Sequence, residues 1–150
     1  MKTRFLLLVV LLTLNFAYSQ EVKYDEALAK SVGGNDNGMK SYVFCILKTG
    51  TNTTATDKEK ADYFKGHMEN ILRLADEGKL VTAGPFGKND KNYRGIFIFN
   101  VTTIEEATAL VESDPAVKAK IFDYELTPWY ASAALMKVNE IHKTIIKPKS

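Results

Sequence analysis

The chain has 150 residues, 45% hydrophobic and 25% charged, which suits one small globular domain. It carries 20 Lys+Arg against 18 Asp+Glu; two of the basic residues, Lys2 and Arg4, sit in an N-terminal leader, so the remainder balances at 18 against 18 and has no nucleic-acid footprint. The single cysteine excludes an internal disulfide and leaves stability to packing.

Lys2 and Arg4 precede an apolar run, Phe5 to Leu14, broken only by Thr13, and Ala17-Tyr18-Ser19 then places small residues at −3 and −1. This is the pattern of a cleaved signal peptide over residues 1–19, with Gln20 as the first mature residue. The run is about half the roughly 20 residues that a spanning helix needs, so no stable membrane anchor is expected. No cysteine follows it, which speaks against a lipid anchor. The mature protein is therefore expected to be periplasmic or secreted. Residues 20–40, with Gly33-Gly34-Asn35-Asp36-Asn37-Gly38, read as a flexible lead-in.

Ser41 to Lys48 predicts a first strand, and Thr49 to Thr56 a polar loop. Asp57 is a candidate N-cap for a helix that runs to Glu77 and stops at Gly78. Lys79 to Phe86 predicts a second strand, Lys88 to Asn92 a hairpin loop, and Tyr93 to Val101 a third strand. Thr103 followed by Glu106 marks a capping box for a second helix, reaching about Ser113. Asp114-Pro115 opens a further helical turn. Ile121 to Tyr130 predicts a fourth strand, and residues 131–150 a C-terminal helix or tail, with Leu135, Val138 and Ile141 at helical spacing.

The order β-α-β-β-α-β is that of a ferredoxin-like α+β domain over residues 41–130, a four-stranded antiparallel sheet with its helices on one face. The first and third strands are apolar on both faces, as central strands covered twice would be. The second face therefore needs a cover. A second copy of the sheet, giving a homodimer, is the simplest one; the C-terminal helix is the competing one.

Candidate chemistry rests on few residues. On the first long helix Ala61, Phe64, Met68, Ile71, Leu72 and Ala75 form an apolar stripe, and His67 stands at its edge, roughly 70–80° from the centre. An edge histidine can pack locally or transfer protons near neutral pH. Asp114 explains itself as an N-cap, and a catalytic role stays open as well because an N-cap side chain is expected close to the surface. Cys45, inside Tyr42 to Leu47, reads as a small buried hydrophobe rather than a nucleophile. Gly84-Pro85 and Trp129 are each either ordinary turn or core residues or pocket residues. His142 lies among lysines and receives no role. No ligand spacing for a metal and no cofactor fingerprint appears.

Several segments together resemble the YCII-related family: Tyr42-Val43-Phe44, Gly66-His67-Met68, Glu77 to Phe86, Gly95 to Phe99, Ala107 to Val111, Ser113 to Val117, and Leu126-Thr127-Pro128-Trp129. The resemblance implies a ferredoxin-like domain that dimerises into an α/β barrel. It also implies a His/Asp pair in an active-site cleft, at His67 and Asp114 in this sequence. Lys120 stands where many members have Gly. Two functions stay open: a small-molecule enzyme using His67 as acid/base beside Asp114, or a non-catalytic dimeric module that binds a small ligand.

Overall fold

In the computed structural model, which describes residues 23–148, four strands form one antiparallel sheet. They are β1 (Met39–Thr49), β2 (Leu80–Pro85), β3 (Tyr93–Phe99) and β4 (Phe122–Ser132), in the spatial order β2-β3-β1-β4. β1 pairs with β3 on one side (Phe44 opposite Ile98) and with β4 on the other (Phe44 opposite Thr127). The two strands with apolar residues on both faces are thus the two central ones. The fold is the expected ferredoxin-like α+β arrangement. The expected signal peptide lies outside the described residues.

Helices α2 (Asp57–Asp76), α3 (Ile104–Val111) and α4 (Pro115–Lys118) form the helical layer. Val43, Cys45, Leu47, Phe97 and Phe99 point into it from the sheet and are buried with Leu74, Leu80, Ala107, Val111 and Val117. Among the described residues, no helix is long and apolar enough to cross a membrane.

Local chemistry sets the helix ends. The N-cap of α2 is Thr56, not Asp57: its hydroxyl accepts from the Glu59 amide, and the Glu59 carboxylate accepts from the Thr56 amide at 2.8 Å. Threonine wins because it completes a reciprocal pair, while Asp57 takes the first turn, where a negative charge favours the helix dipole. Thr103 caps α3 by accepting from the Glu106 amide, as its spacing predicts.

Two helices end in the same way. In α2 the Gly78 amide donates to Ala75 and the Lys79 amide to Leu74; in α4 the Lys120 amide donates to Val117 and the Ile121 amide to Ala116. Both are Schellman ends, which place one residue in the left-handed region. At α2 that residue is Gly78 (φ 68°); at α4 it is Lys120 (φ 57°), which carries a Cβ where glycine is favoured.

The lead-in has more structure than its glycines suggest. α1 (Glu26–Ser31) is capped by Asp25, and the chain is tied to the sheet where the Ala133 amide donates to the Gly38 carbonyl and the Asn35 amide group to the Tyr130 hydroxyl. These bonds are made to β4 and the residues just after it, about a hundred positions away, so local composition does not reveal them. The C-terminal segment forms a short 3₁₀ turn (Ala133–Lys137) and then α5 (Val138–Ile145). Leu135 and Met136 pack on the second sheet face against Tyr42, Val81, Ile98 and Ala131. The tail therefore covers part of that face, while Phe44 and Ile96 stay only partly buried and Trp129 lies against Phe44, exposed.

Candidate active site

α2 meets the sheet through an unexpected face. Its buried residues are His67, Asn70 and Leu74, whereas Phe64, Met68 and Leu72 of the apolar stripe are 54%, 44% and 63% exposed. The helix is rotated so that the stripe's outer half overhangs the β2–β3 hairpin. His67 goes inward onto Asp114, and Asn70 Oδ1 accepts from Arg73 and Ser113, while Asn70 Nδ2 is buried without a partner among the described residues. Arg73 Nη2 donates to Asn70 Oδ1 at 2.7 Å and to the Ser113 hydroxyl at 3.1 Å. This clamps α2 to the residue before Asp114.

The clamp and a close helix contact bring the two candidate residues together. His67 Nδ1 lies 2.6 Å from Asp114 Oδ2, with the histidine 7% and the aspartate 0% exposed. Asp114 also does the capping work expected of it, its Oδ1 accepting from the Ala116 amide at 2.8 Å, but it is fully buried and not near the surface, because α2 and His67 cover it. Gly66 permits the approach: a Cβ there would stand 2.9 Å from Pro115 Cγ. A mid-helix glycine costs about 1 kcal/mol in propensity, and close contact of α4 on α2 is the return.

The hydrogen-bonding arithmetic fixes the tautomer. A carboxylate only accepts, so Nδ1 is the donor, and in the neutral ring Nε2 keeps its lone pair. Among the described residues Nε2 has no hydrogen-bond partner, yet it is not sealed away. It borders a cleft of about 910 Å³, of a size usual for small-molecule sites. Phe97 stacks on the imidazole at 5.8 Å, Phe122 meets it edge-on at 5.1 Å, and Phe64 flanks it at 5.6 Å. The rings hold the histidine in one orientation and exclude water from most of its surface. The arrangement supplies one oriented base, backed by a buried negative charge, at the floor of an apolar cleft.

The other candidates separate clearly. Cys45 is fully buried, and its thiol is pushed up to about 12, first by burial and then by the negative charge of Asp114. That is the reverse of nucleophile activation. Gly84 and Pro85 line the cleft, whereas Trp129 lies on the second sheet face against Tyr42 and Phe44. His142, without a role in the sequence reading, lines the cleft together with Asn139. α5 is held there because Asn139 Nδ2 donates to the Leu80 carbonyl at 2.7 Å and Lys143 pairs with Asp76 at 3.0 Å. Among the described residues no group of three His, Cys, Asp or Glu side chains could hold a metal ion.

A ferredoxin-like domain with a buried His–Asp pair opening on an apolar cleft is thus the class that fold and site define. The sequence pattern of the YCII-related domain matches residues 42–130, and the chain belongs to that family. Over 65 residues it is 34% identical to Protein YciI of Escherichia coli O6:H1 and, equally, to that of Shigella flexneri. The match covers 39% of this chain and 66% of each relative's length. Among solved structures, it is similar to 5-chloro-2-hydroxyhydroquinone dehydrochlorinase of Burkholderia phenoliruptrix AC1100 in complex with 2,5-dihydroxybenzoquinone. That likeness has 23% identity and a TM-score of 0.42, over 58% of this chain and 92% of that one. The matched segment ends at residue 130, so the 3₁₀ turn and α5 lie beyond the family domain.

Proposed function

We propose that this protein is an exported small-molecule enzyme in which His67 Nε2 takes or delivers a proton at a substrate bound in the cleft. Asp114 holds His67 in the required tautomer and stabilises the imidazolium that forms when Nε2 accepts the proton. The 2.6 Å contact between two buried side chains carries this reading. A purely structural pair would have no reason to leave Nε2 open to a cleft. General acid–base help of this kind is worth about 10²–10⁴ in rate. A turnover screen of small organic molecules, run on the wild type and His67→Gln, tests it. Turnover that falls by at least about 100-fold in the variant supports the base; unchanged turnover removes it.

In this proposal the export signal takes the domain out of the cytoplasm, and the partly covered second sheet face joins two copies through Phe44, Ile96 and Trp129. A protein that sediments only as a monomer at micromolar concentration would contradict the homodimer.

A further inference from the structure

The chain outside its leader is electrically balanced, but the cleft is not. Among the described residues that line it, none is Asp or Glu, while Lys88, Arg94, His67 and His142 all do. Lys88 and Arg94 take part in no ion pair among the described residues. Lys88 belongs to the β2–β3 turn. Arg94, three residues before Phe97, stands with Ile96 on the other face of β3 and meets the cleft only around the end of the β2–β3 hairpin, so neither cation belongs to the floor. The carboxylate of Asp114 lies behind the imidazole, fully buried, and is not part of the cleft lining. The floor and the α2 wall are apolar, built from Phe64, Met68, Leu72, Phe97 and Phe122.

A cleft whose lining gathers unpaired cations and holds no carboxylate attracts ligands of one sign. We infer that the ligand of this cleft is an apolar organic anion, a ring or compact hydrocarbon body bearing one carboxylate or similar group. The apolar body lies against the aromatic floor beside His67 Nε2. The anionic group lies at the rim, against Lys88 and Arg94. α5, beyond the family domain, closes the remaining side through Asn139 and His142. The inference rests on the cleft being the functional site, as proposed above, and adds the charge and polarity of what enters it.

Three probes with one ring system isolate the charge: 2-naphthoate, 2-naphthamide and 2-naphthylmethylammonium. Each is titrated calorimetrically at low salt into the wild type, Lys88→Ala/Arg94→Ala and His67→Gln. Exposed charge pairs are individually weak, so the two cations together should favour the carboxylate over the amide by about ten-fold, with the ammonium weakest. Half-molar salt should erode that preference. The double substitution should abolish it while leaving amide binding unchanged, and His67→Gln should keep it. Equal affinity for carboxylate and amide, preference for the ammonium, or no binding by any of the three would overturn the inference. The acid–base reading is judged separately, by turnover and by the tautomer of His67. A protein with no charge preference but an Nδ1-protonated, turnover-essential His67 would refute only the anionic ligand.

Discussion

Replacing Asp114 by Asn changes one atom of a fully buried side chain and should reverse the tautomer of His67. The N-cap survives, because Asn caps as well as Asp and its carbonyl oxygen can take over the Ala116 amide. The amide nitrogen then faces His67 Nδ1, donor against donor, at the position where the 2.6 Å bond had been. The ring relieves the clash by moving its proton to Nε2, so that Nδ1 accepts. Stability should fall by about 1–2 kcal/mol, the difference between a charge-assisted hydrogen bond and a neutral one. The catalytic consequence is larger: the nitrogen facing the cleft now carries a proton and cannot act as a base, at a cost of about 10²–10⁴ in rate. Two-bond ¹⁵N–¹H correlation spectra at neutral pH distinguish the tautomers directly and need no substrate. Nδ1–H in the wild type and Nε2–H in Asp114→Asn is the expected pair of results. The same tautomer in both proteins would refute the claim that Asp114 orients His67.

Gly66→Ala should bring the new Cβ against Pro115, 2.9 Å away. Overpacking of about 2 kcal/mol, less about 1 kcal/mol of better helix propensity, leaves a net loss near 1 kcal/mol in urea unfolding and a mixed His67 tautomer. Lys120→Gly removes a left-handed Cβ at the end of α4 and should raise stability by about 1 kcal/mol, since the strain relieved exceeds the chain entropy that glycine adds; an unchanged urea midpoint would count against strain there. The Cys45 thiol, at about 12 in the fold, keeps its proton while the unfolded chain loses its own near 9. Stability from this group is therefore intact below about pH 9 and declines as pH rises toward 12, and native Cys45 should resist thiol reagents until the protein unfolds.

The local signals in this sequence were informative because they depend on near neighbours. Doubly apolar β1 and β3, the Thr103 cap, the Gly78 stop and the Asp114-Pro115 helix opening all follow from spacing within a few residues. The rotation of α2 does not. By composition the Phe64–Met68–Leu72 stripe should be the buried face, but His67 and Asn70 go inward because Asp114 and Ser113 await them 47 and 43 positions away. The sheet beneath the stripe is left uncovered and becomes the cleft. The His67–Asp114 pairing was legible only through resemblance to a family, since neither residue predicts the other by spacing. Gly66 is unfavourable in a helix interior by propensity alone, and its reason, Pro115 standing against it, lies 49 positions away. The place of His142 depends on two bonds between α5 and elements some sixty residues earlier, Asn139 to Leu80 and Lys143 to Asp76, which no local pattern encodes.

The central claim, that His67 Nε2 is the reacting group of this cleft, is tested most directly by a crystal structure with a bound substrate or product found in the turnover screen. The account predicts a ligand atom that gains or loses a proton within about 2.6–3.2 Å of His67 Nε2, with Asp114 still on Nδ1. A ligand seated on the second sheet face, or one that presents only inert carbon to His67, would contradict it.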